Sequence, residues 1–305
     1  MDIDRAIAIA NRVVEAGASH APVVRPTVPG SLLVIDGDGL NYSCAGFEDT
    51  SPAWAKEQLF TRIKNLRNAC GAEDVLLHLT HPSSHKRYRY AIATIKPYQG
   101  QRKSHKPKNW PYLRALMEDL EYSISWSDRE ADDAIALTAY DHDGPVFIAS
   151  EDKDMRMLPG FHLNMKDYEI THVPKYAWDV KDSKGKQFGA KWFYLQMLHG
   201  DSVDYIPGLE RWVNPKGKPV LCGDKTAIKL LEYCPNDVTA HNTVVSAYQD
   251  YYGDQWADRW VEQAALLWLS RKHDAADWHP DNFHCEHIIA AHSRLKERIN
   301  AAIEG

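Results

Sequence analysis

The chain has 305 residues, 44% hydrophobic and 26% charged, with a formal net charge of −6, which is ample for a real core and ordinary for a soluble globular protein. Five scattered cysteines without a CxxC pair argue against a disulfide framework and fit a reducing, cytoplasmic home. No apolar run approaches the roughly 20 residues that span a bilayer, so no membrane is expected, and net acidity alone argues against a nucleic-acid binder.

The first segment, MDIDRAIAIANRVVEAG, starts acidic and reads as an amphipathic helix rather than a signal peptide. HAPVVRPTVPG (20–30) reads as a connector. SLLVIDGDGL (31–40) is a short apolar run ending in Asp-Gly-Asp-Gly, hence a buried strand ending in a turn. The spacing of Trp54, Leu59, Ile63 and Leu66 predicts a helix over 53–70, and DVLLHLT (74–80) a second strand. Residues 110–121 look helical, and SDREADDAIALTAYD (127–141) reads as a helix with Ser127 and Glu130 in capping-box spacing. PVFIAS is a third strand; FHLNMK and the stretch around Ile170–Val173 are further short ones. AKWFYLQMLH (190–199) and DKTAIKLLEY are helices, and the remainder from about 235 is mostly helical. Strands alternating with helices predict an α/β fold with a mostly parallel sheet, whose ligands bind at the carboxyl ends of the strands.

The charge is partitioned. Between Asp74 and Glu118 there is no acidic residue, while Lys86, Arg87, Arg89, Lys96, Arg102, Lys103, Lys106, Lys108 and Arg114 are interleaved with Tyr88, Tyr90, Tyr98, Trp110 and Tyr112. Such a block can hold a polyanion by its phosphates while aromatic rings stack on bases. The bland alternative is a solvated basic loop.

The acids are patterned too. Asp36 follows LLVI, Asp152 and Asp154 follow VFIA, Glu130, Asp132 and Asp133 open a helix, and Asp201 and Asp204 lie in HGDSVDYIPG. Singly, each has a local explanation as a turn residue, a capping partner or a helix end. Jointly, apolar strands that repeatedly discharge into acids point to hard divalent cations. Mg²⁺, for which Mn²⁺ can substitute, takes oxygen ligands, and two such ions about 4 Å apart can drive phosphodiester hydrolysis. The C-terminal His279, His284, Cys285, His287 and His292 are irregularly spaced and match no zinc motif.

In order over about 31–231, these elements resemble the flap endonuclease and 5′-3′ exonuclease family, especially its bacteriophage exonucleases. VIDGDGLNY resembles the family's first metal aspartate, implying Asp36, with Tyr42 as an aromatic that stacks on substrate. READDAIA resembles E-x-D-D, implying Glu130, Asp132 and Asp133; IASEDKDM resembles S-x-D-x-D, implying Asp152 and Asp154. GDSVDYIPG resembles G-D-x-x-D-N-I-P-G, implying Asp201 and Asp204. CGDKTAIKLL resembles part of a helix–two-turn–helix clamp that grips duplex phosphates around a K⁺ ion, implying Gly223, Lys225 and Thr226.

The resemblance further implies a PIN-like nuclease core with a helical arch at 82–113, in which Arg87, Arg89, Tyr98 and Lys106 meet DNA. Three departures stand out. His81 lies where the family usually has another aspartate. PYQGQR keeps Tyr98 and Arg102 but places Gln99 where a lysine would be, leaving Lys96 or Lys103 to supply that charge. Residues 210–221 look like an insertion.

The expected organisation is an N-terminal helix and connector (1–30), a nuclease core (31–200), and a clamp with a helical C-terminal region (201–305). The expected activity is metal-dependent hydrolysis of DNA with a 5′ end or flap, and of RNA–DNA hybrids, by a monomer in the cytoplasm, the host's if phage-encoded. Two alternatives of other classes are a haloacid-dehalogenase-type phosphatase using Asp36 and Asp38, which leaves the other acids and the basic block idle, and a non-catalytic DNA-binding protein. A PIN-like ribonuclease shares the acidic logic but is usually far shorter.

Overall fold

The computed structural model describes residues 23–101, 105–209, 212–213, 216–220, 222–269, 271 and 285–304. The expected N-terminal helix, Arg102, Lys103, residues 210, 211, 214, 215 and 221 of the expected insertion, His279 and His284 lie outside the described residues. The chain forms two compact units: Met1–Ser84, Ser104–Ala177 and Lys181–Gly185 make the first, and His85–Lys103, Trp178–Val180 and Lys186–Gly305 the second. Among the described residues no helix is long and apolar enough to cross a membrane.

The first unit is built on a six-stranded sheet. Its elements run β1 (Val28–Asp36), α1 (Gly37–Cys44), α2 (Pro52–Cys70), β2 (Ala72–Thr80), α3 (Trp110–Glu118), β3 (Ser123–Trp126), α4 (Ala131–Asp141), β4 (Val146–Ala149), β5 (Gly160–Leu163) and β6 (Ile170–Val173). The strand order is β3-β2-β1-β4-β5-β6, parallel except for the antiparallel β5–β6 pair. This is the expected α/β class.

Leu33, Ile35, Leu77, Leu79 and Phe147 fill the core from the central strands, and Leu59 and Leu66 meet them from α2. Each such side chain contributes about 1.5–3 kcal/mol by leaving water. Helix α2 is well punctuated. Ser51 caps its first turn by accepting from Trp54 N at 3.2 Å, Pro52 stands at its first position, and Gly71 ends it at φ +72°. A Cβ at Gly71 would meet the Pro26 carbonyl oxygen at 2.2 Å, so no larger residue fits that turn.

Three local readings change. Asp-Gly-Asp-Gly is not a turn: Asp36 N-caps α1 and the glycines form its first residues. Aspartate is a strong N-cap, and here it outweighs the poor helix propensity of glycine. Helix α4 starts at Ala131 rather than Ser127, and Glu130 is its N-cap residue. Strand β3, with only Ser123–Trp126, carries too short a pattern to read from sequence.

The second unit is mainly helical, with α5 (Ala190–His199), α6 (Asp224–Leu230), α7 (Asp237–Tyr252), α8 (Trp256–Leu267) and α9 (Glu286–Glu304), beside a short antiparallel pair of Trp212–Val213 with Pro219–Val220. Trp260 and Tyr248 are fully buried in it, and Tyr248 donates its hydroxyl hydrogen to Met197 O at 2.7 Å, tying α7 to α5. Glu262 on α8 accepts from Thr94 N at 2.7 Å and Ile95 N at 3.0 Å, and so anchors the segment that carries Lys96 to Gln101. That segment is turn rather than helix, and Gln99 is in the left-handed region at φ +55°.

Candidate metal and phosphate sites

The chain order of the sheet fixes where the first site lies. From β1 the chain moves to β2 and β3 on one side, then crosses back to β4 on the other. The carboxyl ends of β1 and β4, paired through Ile35 and Ala149, therefore flank a topological switch point, the usual ligand crevice of an open α/β sheet. Asp36 ends β1, and Ser150 and Asp152 follow β4 directly.

Hydrogen bonds connect these residues in series. Ser150 Oγ donates to Asp36 Oδ2 at 3.2 Å and accepts from Asp152 N at 3.0 Å, and Asp152 Oδ1 accepts from Asp154 N at 2.9 Å. The other Asp36 oxygen accepts from Gly39 N at 3.1 Å. Burial, followed by the charges of Asp38 and Asp152, pushes the Asp36 carboxyl up to about 7, against the opposing bonds from Gly39 and Ser150. This carboxylate oxygen set, strained by its own negative charge, fits a hard cation, and the pushed-up Asp36 is what such an ion relieves.

Helix α4 enters beside it. Ala131 N donates to Thr80 Oγ1 at 2.9 Å, which sets the helix start against the end of β2. Glu130 is buried at that start, Asp133 is fully buried, and Asp132 Oδ1 accepts from Asp133 N at 2.6 Å. The charge of Glu130 is felt at Asp38 and those of Asp38 and Asp152 at Asp36, so these four acids form one electrostatic group. His81 is exposed and turns to Ser83, with Nδ1 2.7 Å from its hydroxyl.

Asp38 is committed elsewhere. It accepts from Arg114 Nη1 at 2.8 Å and from Thr80 N at 3.2 and 3.3 Å, while Arg114 also donates to Thr80 O at 2.7 Å. The phosphatase alternative needs Asp38 as a proton donor facing substrate. Bound on two sides, Asp38 is instead a brace between α1, β2 and α3.

Tyr42 and Lys106, far apart in sequence, come together in the first unit. Tyr42 is 41% exposed, its ring 6.0 Å from that of Trp110, and Lys106 Nζ lies 3.8 Å from the Trp110 ring centre. An exposed tyrosine beside a half-buried tryptophan that carries a cation is a platform of the kind that accepts bases and phosphates.

The second unit holds the other acids in a closed loop. Asp201 and Ile206 exchange backbone bonds at 2.8 and 2.7 Å, and Asp201 Oδ1 accepts from Val203 N at 2.7 Å. Gly200 (φ +73°) and Gly208 (φ +59°) lie against each other's backbone so closely that a Cβ on either would come within 2.3 Å of it or its neighbours. That contact is the physical content of the G-D-x-x-D-x-I-P-G pattern. Asp201 and Asp204 each offer a carboxylate oxygen within 4.8 Å of the other.

Both oxygens of Asp204 are held: Tyr98 Oη donates to Oδ2 and Gln99 Nε2 to Oδ1, each at 3.1 Å. Tyr98 is 3% exposed, so it positions an acid rather than touching DNA as expected. Lys86 Nζ donates to Gln99 Oε1 at 2.7 Å, whereas Lys96 lies over the Tyr205 ring at 4.9 Å.

Arg87 and Arg89, expected to face DNA, are buried. Arg89 is 1% exposed and donates to Leu266 O at 3.3 Å and Trp268 O at 3.4 Å. It acts as an internal strut, because those carbonyls at the end of α8 lack helical partners. Gly223 precedes α6 and is exposed with Lys225, and Thr226 is half-exposed. Sequence reasoning missed Lys86 as a partner of Gln99, and Thr80 with Arg114 as braces. Only Ser150 was marked, by its place in S-x-D-x-D.

No protein-family model and no curated protein matches the chain. Solved structures from bacteriophage T5 do, each aligned over 88% of this chain and 99% of its own with a TM-score of 0.54. They are the D15 protein co-crystallised with metal ions (15% identity), the D15 flap endonuclease in a pseudo-enzyme–product complex with DNA and metal ions (16%), and the 5′-exonuclease with zinc bound (16%). The chain therefore has a phage 5′-3′ exonuclease-like fold.

Proposed function

We propose that this protein is a metal-dependent nuclease that hydrolyses DNA phosphodiesters near a 5′ end, as an exonuclease or a flap endonuclease, by a two-metal mechanism. The observation that carries this reading is the Asp36 carboxyl at the switch point, pushed up to about 7 with Asp152 linked to it through Ser150. A carboxylate cluster built at this cost, on a fold shared with metal-bound nucleases, is best explained by resident Mg²⁺ or Mn²⁺.

In this reading Asp36, Glu130, Asp132, Asp133, Asp152 and Asp154 are the first unit's ligands, directly or through water, and Asp201 and Asp204 are those of the second. Ions held there would supply an activated water and charge to neutralise the leaving oxygen. Ser150 orients Asp36, while Tyr98 and Gln99 orient Asp204. Tyr42, Trp110 and Lys106 receive the strand. Gly223, Lys225 and Thr226 hold duplex phosphates, with K⁺ as the clamp ion. The protein acts as a monomer in replication or repair, including on the RNA of hybrids.

The test is a 5′-labelled panel of flap, blunt duplex, nicked duplex, single strand and RNA–DNA hybrid, with Mg²⁺ and with EDTA, beside a generic phosphate monoester. Cleavage of flap or duplex that EDTA abolishes supports the reading. Monoester hydrolysis without cleavage overturns it in favour of a phosphatase, and binding without cleavage in Mg²⁺ or Mn²⁺ in favour of a DNA-binding protein.

A further inference from the structure

We infer that Lys86 is a phosphate-positioning cation, set in place by a left-handed turn and aligned with Asp204 through the side chain of Gln99. The inference rests on the nuclease reading and adds to it a residue that no sequence motif marks.

Backbone strain locates it. Among the described residues, seven non-glycine residues have φ in the left-handed region, and five of them are Lys86 (49°), Arg87 (52°), Tyr88 (59°), Gln99 (55°) and Tyr205 (63°). The first four lie in the short stretch from Lys86 to Gln99, and Tyr205 follows Asp204, which Gln99 contacts. Each such residue costs roughly 1–2 kcal/mol, and strain of this kind persists where the surroundings over-determine it, most often at functional positions. Three consecutive left-handed residues, none of them glycine, are a local cost that packing must offset. Part of the offset is visible: Arg87 is buried, and the His85 and Tyr88 rings stack at 4.1 Å and 17°.

The turn delivers Lys86 to Gln99, with Nζ donating to Oε1 at 2.7 Å and also lying 5.7 Å from the Tyr90 ring centre. Gln99 is fixed in turn. Its backbone N donates to Asp204 O at 3.0 Å and its Nε2 to Asp204 Oδ1 at 3.1 Å. One amide thus has its oxygen on a cation and its nitrogen on an acid.

The chemistry of that spacer matters. An ammonium bonded straight to Asp204 would compete with a metal ion for the carboxylate. A neutral amide passes on position without passing on charge. Gln99 brings no charge of its own to Asp204, and Lys86 is held at a set distance from that carboxylate as a point charge suited to phosphate oxygen. A phosphodiester whose one oxygen meets the cation would meet Lys86 with another. Lys86 is then the residue that binds the phosphate, and Gln99 the positioning residue behind it.

The test uses the full chain. Single-turnover cleavage of a 5′-flap duplex in Mg²⁺ is compared with binding of the same DNA in Ca²⁺, for Lys86→Met, Lys86→Arg, Gln99→Met and the double variant Lys86→Met/Gln99→Met. Methionine keeps the length and packing and removes the charge. Lys86→Met should cleave at least about tenfold more slowly, equivalent to about 1.4 kcal/mol of transition-state stabilisation, with unchanged melting temperature and DNA affinity within about threefold. Lys86→Arg should recover part of the rate, and the double variant should fall little below Lys86→Met, because the two side chains act as one unit. If the wild type does not cleave in Mg²⁺ or Mn²⁺, the nuclease reading itself fails. If the wild type cleaves and Lys86→Met matches it, or if Lys86→Arg is as slow as Lys86→Met with both melting early, the Lys86 inference falls while the nuclease reading stands.

Discussion

The hydroxyl of Ser150 donates to the carboxylate of Asp36 at 3.2 Å across the ends of β4 and β1. It therefore couples the two strands at the point where the acids collect. With the hydroxyl removed, Asp36 loses an orienting donor while every proposed ligand survives. Ser150→Ala should weaken Mn²⁺ binding by about tenfold, the scale of losses from residues that orient ligands, whereas Asp152→Asn should abolish cleavage and leave DNA binding intact. Metal titration followed by Mn²⁺ resonance reads the first and a gel assay the second; a Ser150→Ala protein with wild-type affinity would remove the coupling from the account.

Proton release should accompany metal binding. The Asp36 carboxyl, pushed up to about 7 by burial and by Asp38 and Asp152, holds a proton below that pH and must lose it to become a ligand. Metal affinity should rise with pH by up to about tenfold per unit below pH 7 and level off above it. Calorimetry in buffers of different ionisation enthalpy should count close to one proton released per protein near pH 6 and close to none near pH 8.5. The same count at both values excludes Asp36 as the titrating ligand.

Acid stability should fail in a window that His78 shares with His162 and His241, all three pushed down to about 4 by burial. The His78 ring is buried between β2 and α4. Trp126 Nε1 donates to Nδ1 at 3.0 Å, and Nε2 lies 2.9 Å from Thr138 Oγ1, whose own hydrogen goes to Ala134 O. The neutral ring thus carries its proton on Nε2, and burial, with a donor already aimed at Nδ1, depresses its pKa to about 4. A depressed folded-state value means that the unfolded chain binds the proton more tightly. Stability from His78 is complete above about pH 6.5 and declines as pH falls towards 4, by about 1.4 kcal/mol per unit and about 3 kcal/mol in all. Asp36 titrates with the opposite sign, so the difference between wild type and His78→Gln isolates the histidine. Urea denaturation of both at pH 7.5, 5.5 and 4.5 should show the gap between them narrowing as pH falls; a constant gap contradicts the assignment.

What the sequence could show follows from how each feature is encoded. β1 and β4 were legible because apolar runs that repeatedly end in acids are poorly explained by turns and caps taken jointly, and the acids at 36, 130, 152 and 204 were marked by motifs that resemble those of the exonuclease family. Helix α1 was not, since glycines at 37 and 39 argue for a turn and only Asp36 as a cap decides otherwise. The Lys86–Gln99 pair was invisible for a different reason. It depends on left-handed backbone at residues that are not glycine, and such conformations leave no mark on composition or period.

Arg89 and Lys106 separate what a basic block does inside from what it does outside. Both belong to the acid-free stretch, and sequence alone ranks them equally as DNA contacts. Arg89 is buried with Nε on Leu266 O and a terminal nitrogen on Trp268 O. Lys106 is exposed over the Trp110 ring, with Tyr42 beside it. Arg89→Ala strands two carbonyl groups and leaves a cavity, so it should cost roughly 3 kcal/mol of stability. The slope of DNA affinity against salt should not change, because no phosphate contact is lost. Lys106→Ala should do the reverse, leaving the melting curve in place and lowering the salt slope by about one unit. Trp110→Ala should weaken binding by about 1–3 kcal/mol if a base stacks there. Binding isotherms from 50 to 200 mM salt, alongside thermal melts of all three variants, give both readouts. If Arg89→Ala changes the salt slope, or Lys106→Ala leaves it unchanged, the division of the block into an internal strut and an exposed platform is wrong.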